Sequence, residues 1–300
     1  MNKEAMQQQI LEALKKKLGN EYSIRIREVL KTNIKLDGLT ILKIGENVSP
    51  TIYLEPFYEA LDKGKTLDNV TNDISRLYFS TRVEMLDMLG FDVSPIQDFN
   101  FVKKRLFVQL VNRNHNKELL LDIPHMPFLD DFSVIVRCLL DSTDEGNASF
   151  LVHDNHLQMW GIEREELLSF AVRNTRKLLG VDLRRMTTVL KEICPDFCES
   201  DETNIQDIPL WVLTNKRKFL GAATVLFDDI LRDFANVYGD FCVVFSSVHE
   251  ALLLPTNDPA DIDYITAINQ SVNDTQVRVD EVLGTKAYFY SKKDGFACKG

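Results

Sequence analysis

The sequence predicts an α+β fold, with small mixed or antiparallel sheets and packed amphipathic helices in two to three subdomains. Strand-like and helix-like segments are interspersed without strict alternation, which disfavours a doubly wound parallel sheet. The 300 residues are 45% hydrophobic and 27% charged, a globular balance at a length near two domains. Charge divides them further. Residues 1–82 carry 13 basic and 11 acidic side chains (net +2), 83–208 carry 13 and 22 (net −9), and 209–300 carry 9 and 12 (net −3). These segments read as an N-terminal helix, sheet and helix (1–82), an acidic α+β middle region ending in a linker (83–208), and a C-terminal α+β region (209–300).

Met6, Ile10, Leu14 and Leu18 share one face of a helix over 4–18. Gly19 closes it, and Lys15, Lys16 and Lys17 suit its negative end. Strands are expected over 22–29, 39–44 and 51–54, with Asp37-Gly38 as a turn. Thr66 is the N-cap of a helix with a stripe of Leu67, Val70, Ile74, Leu77 and Tyr78. Residues 105–111 alternate as a strand, and Leu119–Leu121 is a short apolar stretch. Residues 132–140 and 148–152 read as two strands joined by DSTDEGN. A helix begins near Ile162, with Glu163, Glu165 and Glu166 in its first turn, and ends at Gly180. Its face is Leu168, Val172, Thr175 and Leu179. A further helix is expected over 182–194. Residues 195–208 hold five acidic residues and no basic one, which marks them as the linker.

Beyond it, a strand over 210–213 precedes a helix over 222–237 with Leu226, Ile230 and Phe234 in register. Strands follow over 241–246 and 251–254. Asp258 caps a helix with Pro259 at its first position and Ile262, Ile265, Ile268 and Val272 toward the core. Residues 287–290 form the last strand. There is no solenoid-type repeat.

Several function classes lose support. No apolar run approaches the ~18 residues of a membrane span, and the start MNKEAMQQQI has no apolar signal core. Five cysteines, Cys138, Cys194, Cys198, Cys242 and Cys298, are an odd number and fit a reduced, cytoplasmic chain. Cys194 and Cys198 lack the second pair or nearby histidine of a zinc site. A net charge of −10 and only short basic clusters argue against nucleic acid and anionic membranes. The expected partner is a protein or a small-molecule ligand of unknown identity, and no pattern assigns a cofactor.

The segment Ser246-Ser247-Val248-His249-Glu250 is the first candidate for chemistry. In an extended chain Ser247 and His249 share one face, and Ser246 and Glu250 the other. Ser247 or Ser246 with His249 would make a nucleophile–base pair, or His249 a proton shuttle. The alternative is a polar kink between strands. There is no G-x-S-x-G elbow and no H-E-x-x-H pattern. His153 and His156, three apart around Asp154, are the metal candidates, against an ordinary turn. His115 reads as a surface-loop or helix-cap residue. His125 lies between Pro124 and Pro127, where it stiffens a bend or joins a site. Thr214-Asn215 ends a strand before Lys216, Arg217 and Lys218 and a helix start, an arrangement that attracts an anion or is a solvated turn. Asn215, Lys216, Asn174 and His125 are the ligand-binding candidates.

Taken in order, several runs resemble a known family. They are Asp37-Gly38-Leu39-Thr40-Ile41, Ser49-Pro50-Thr51-Ile52-Tyr53-Leu54, Leu110-Val111-Asn112 with Asn116, Ile123-Pro124-His125, Leu213-Thr214-Asn215 with Gly221-Ala222-Ala223, and Ser246 to Glu250. Nearly the whole chain resembles the domain-of-unknown-function family 5688 of clostridia-like Gram-positive bacteria. The resemblance implies a bacterial, cytosolic setting and supplies no activity, cofactor or catalytic residue. It also implies a proline before the two serines, where this chain has Phe245. The resulting expectation is a non-catalytic binding or regulatory module. The alternatives are a hydrolase or transferase using His249 with Ser247 or Ser246, and a metal-dependent enzyme using His153 and His156.

Overall fold

Residues 2–46, 49–89, 94–143, 146–193, 209–256, 258 and 261–296 are described by the computed structural model. The chain folds as two compact units, Met1–Asp98 and Phe99–Gly300.

In the first unit, α1 (Lys3–Leu18) starts on Asn2, whose side chain accepts the Ala5 N–H at 2.9 Å. It buries Met6, Ile10 and Leu14 as their spacing requires. Strands β1 (Tyr22–Lys31), β2 (Ile34–Lys43) and β3 (Thr51–Tyr53) form an antiparallel sheet in that order. The reversal lies at Thr32-Asn33, with Asn33 at φ 65°, and not at Asp37-Gly38. Asparagine tolerates the left-handed region, so it suffices for the turn. Gly38 serves packing instead, since a Cβ there would lie 2.5 Å from Val29 Cγ2 and 2.8 Å from Thr51 Cγ2. Helix α2 (Glu55–Asp62) was not foreseen. Helix α3 (Leu67–Leu89) begins at Thr66, whose hydroxyl accepts the Asn69 N–H at 3.3 Å. Its buried stripe is Val70, Ile74 and Tyr78, while Leu77 is 44% exposed. A short helix, α4 (Ser94–Gln97), follows.

Asp37 joins these elements. Its carboxylate accepts from Tyr58 at 3.0 Å and from Gln7 at 2.5 Å, and pairs with Lys3 at 3.0 Å. Burial pushes this carboxyl up, but the Lys3, Gln7 and Tyr58 donors outweigh it and hold Asp37 below its ordinary range.

The second unit opens with α5 (Phe99–Lys103) and β4 (Leu106–Asn112). A 3₁₀ turn at Leu119–Leu121 leads to β5 (His125–Phe128), β6 (Phe132–Thr143) and β7 (Gly146–Leu151). Strand β6 is central: β4 pairs along one edge, and β5 and then β7 along the other, all antiparallel. Every residue of β4 is buried, so the expected alternation is absent. The reason is that core residues pack on both faces, and the strand's free edge is capped where the Thr175 hydroxyl accepts the Val108 N–H at 2.9 Å.

Helices α6 (Asp154–Trp160) and α7 (Arg164–Leu179) come next. The segment expected as one helix over 182–194 is β8 (Asp182–Arg185) followed by α8 (Met186–Ile193). Strand pairing with β9 (Trp211–Thr214) overrides the helical pattern there. The helix expected over 222–237 is a 3₁₀ turn, Gly221–Leu226, then α9 (Asp228–Tyr238), broken at Phe227. Strands β10 (Phe241–Val244) and β11 (Ala251–Pro255), helix α10 (Asp261–Gln276), and strands β12 (Ala287–Ser291) and β13 (Gly295–Phe296) complete the chain. The larger sheet is antiparallel, in the order β13-β12-β10-β11-β9-β8. One core runs through this unit from Val102 to Tyr290. The segments 83–208 and 209–300 therefore share a sheet, through β8 and β9, and share this core. Residues 195–208 and Cys194, Cys198 and Cys298 lie outside the described residues.

Helix α10 reverses one expectation. Ile265 is buried, but Ile268 is 47% and Val272 38% exposed, and Asn269 and Asn273 face inward instead. Among the described residues no helix is long and apolar enough to cross a membrane.

Candidate functional site

The segment Phe245 to Glu250 connects β10 to β11, and hydrogen bonds fix it on two sides. On one side it ladders with residues 281–284. Phe245 C=O accepts the Gly284 N–H at 2.7 Å, Ser246 C=O accepts the Leu283 N–H at 3.0 Å, and Val248 N–H donates to Glu281 C=O at 2.9 Å. Three asparagines hold this second segment in turn. Asn112 donates to Leu283 C=O at 3.0 Å, and Asn269 and Asn273 both donate to Gly284 C=O, at 3.0 and 2.8 Å. Phe245, which stands where the resemblance implies proline, is fully buried with its ring 4.9 Å from that of Phe132.

On the other side lies the turn after β9. The Thr214 hydroxyl donates to His249 C=O at 2.7 Å. Asn215 is buried and organises the turn, accepting from the Arg217 N–H at 3.0 Å and donating to Phe219 C=O at 2.7 Å. Lys218 and Leu220 both adopt left-handed backbone, φ 51° and 52°, a strained conformation for these residues. Gly221 closes the turn at a point where a Cβ would lie 2.1 Å from Thr214 Oγ1 and 2.5 Å from His249 O.

The strained turn aims the Leu220 N–H at His249 Nδ1, 3.3 Å away. With Nδ1 an acceptor, the neutral ring carries its proton on Nε2, which faces Glu281 Oε1 at 3.7 Å. The Ser247 hydroxyl oxygen accepts His249's own N–H at 3.0 Å. Its hydrogen bond to Glu250 helps hold that carboxyl down. Burial is the larger influence, so the Glu250 carboxyl lies above its ordinary value. No hydrogen bond joins the imidazole to Ser246 or Ser247.

Glu250 also lines a cleft of about 160 Å³ on the β8-β9-β11 face. Asp182 pairs with Thr214, and Ala251 pairs with Leu213, so Glu250, the residue just before β11, continues the row of Thr214 and Asp182. Arg184 and Val212 form the next row on the same face. Val189 and Ile193 of α8 and Lys218 of the turn complete the lining. Arg184 pairs with Asp182 at 2.9 Å and also with Glu192, and Lys218 lies 3.6 Å from Glu192. Asp182, Arg184 and Glu281 were missed by the sequence reading. The first two fell in a segment read as helix, and no local pattern marks the third.

The other candidates lie apart from this cleft's lining. Asn174, on α7, donates to Lys103 C=O at 2.6 Å. Lys216 donates its N–H to Leu179 C=O at 3.0 Å. His125, in β5, donates from Nδ1 to Ile123 C=O at 3.0 Å. His153 and His156 do not sit in a bare turn but start α6. The His153 N–H donates to His156 Nδ1 at 2.9 Å, His153 Nδ1 bonds Asp122 at 2.8 Å, and His156 stacks on Trp160. Burial, then His153, lowers the His156 pKa. Among the described residues no three His, Cys, Asp or Glu side chains gather as a metal site.

The fold and cleft define an α+β protein whose antiparallel sheet carries a small cleft of charged and aliphatic side chains against a strained turn. A family model matches residues 3–292, and the chain belongs to that family, a family of unknown function (DUF5688). No curated protein and no solved structure matched it.

Proposed function

We propose that this protein is a non-catalytic binding module that takes a small molecule in the cleft lined by Glu250, Asp182, Arg184 and Lys218. The observation that carries this reading is the division of labour in the segment Ser246 to Glu250. Ser247 and His249 are engaged in the turn itself, whereas the Glu250 carboxyl is held at the cleft despite the cost of burying it. A base for Ser247 needs a ring nitrogen within hydrogen-bond reach of the hydroxyl, and His249 turns Nδ1 to the Leu220 amide and Nε2 toward Glu281, 3.7 Å away. A bacterial cytoplasm is the compartment that goes with this reading. Burial pushes the Cys138 thiol up to about 12 and the Cys242 thiol up to about 11, which suits inert core thiols. The excess of acidic residues supports a partner other than nucleic acid.

Native mass spectrometry of the chain purified from its own host tests the reading. A discrete small-molecule mass excess is expected, lost in Glu250→Ala and kept in His153→Ala. Hydrolysis of p-nitrophenyl acetate that Ser247→Ala and His249→Ala both abolish would overturn it in favour of a hydrolase.

A further inference from the structure

We infer that the cleft's ligand is a small zwitterion, an α-amino acid with an aliphatic side chain, and this rests on the binding reading above. Three features of the lining point to it together. Both signs of charge stand in the lining: the row of Glu250, Thr214 and Asp182 brings carboxyls, and Lys218 enters from the turn that follows Thr214, with its ammonium beside Glu192. An ammonium placed at Glu250 answers a lining carboxyl that has no Lys or Arg partner among the described residues. Asp182, by contrast, is paired with Arg184. A carboxylate one carbon away from that ammonium meets Lys218, whose contact with Glu192 is 3.6 Å long and 62% exposed on the lysine side, and so is readily exchanged.

The lining also carries apolar side chains. Val212 lies one row along the sheet, beside Arg184, whose guanidinium pairs with Asp182 and Glu192, and Val189 and Ile193 of α8 line the cleft with it. These suit a branched aliphatic side chain. The cleft volume, about 160 Å³, is roughly five times the ~30 Å³ share of a water molecule. That accommodates a small amino acid. A simple anion leaves Glu250 facing it across the cleft, and a simple amine leaves Lys218 doing the same, so only a ligand with both charges satisfies the set. The raised pKa of Glu250 agrees with this, because an incoming ammonium relieves the cost of its burial.

The test is titration of the full-length chain with L-valine, isobutylamine and isovalerate, followed by NMR shifts of the Val189 and Val212 amides. L-valine is expected to bind at least tenfold more tightly than either single-charge analogue. Glu250→Gln and Lys218→Gln, each checked for native dispersion of the remaining amide signals, are each expected to weaken it at least tenfold. An analogue that binds as tightly as L-valine overturns the zwitterion and leaves the cleft reading standing. Binding of none of the three, with the wild-type chain folded, overturns both.

Discussion

Asp37 shows how much a single side chain can organise. It takes donors from α1 and α2 while sitting in β2, so one carboxylate ties three elements of the first unit together. Its pKa is lower folded than unfolded, so it contributes stability above the unfolded value, near ~3.9, and this is lost as pH falls through the folded value. Asp37→Asn is expected to cost about 2 kcal/mol at pH 7, as for hydrogen bonds to a charged group. The difference from wild type should shrink toward zero in strong acid. Urea unfolding across pH checks both. The sequence reading placed Asp37 in a turn because Asp-Gly is the commonest hairpin signal. Nothing local distinguishes a glycine needed for a left-handed turn from one needed for close packing, and here Val29 and Thr51 decide it. Candidate residues fared in the same way. Ser247, His249 and Glu250 stood out by composition, but only the neighbours Leu220 and Glu281, distant in sequence, assign their atoms.

Helices were legible where their apolar period was regular and their caps unambiguous, as in α1 and α7. They were not legible where tertiary hydrogen bonds set the orientation. Helix α10 presents two candidate inner faces. The isoleucine face would be chosen on hydropathy, but the amides of Asn269 and Asn273 find the carbonyl of Gly284, and Asn269 also that of Thr285. Ile268 and Val272 are turned outward as a consequence. Asn273→Ala is expected to destabilise the chain by about 1–2 kcal/mol, because it removes a buried hydrogen bond. Ile268→Lys should stay within about 0.5 kcal/mol of wild type. The opposite ranking, measured by thermal unfolding, would place the isoleucine face inward. Strand β8 was hidden for a related reason. Its four residues gain their ladder from β9, across 25 intervening residues that no local window connects.

At the scale of the molecule, the α+β class and the family were both legible. Class depends on the mix of elements and survives errors in their ends. Charge segmentation traced solvated surface, whereas the compact units follow buried contacts, Met1–Asp98 and Phe99–Gly300. Calorimetry of the full chain is expected to resolve two unfolding transitions. Ile74→Ala, in the core of the first unit, and Phe241→Ala, in that of the second, should each lower the transition of the unit that holds it, by about 2–5 kcal/mol. The larger sheet carries a further consequence in the strands that end it. Strand β8 is four residues with two arginines and an aspartate, and β13 is only two residues. Fibril growth recruits strands along long, flat, apolar rims. Among the described residues, rims this brief, and in β8 this charged, give a passing chain almost nothing to extend along this sheet.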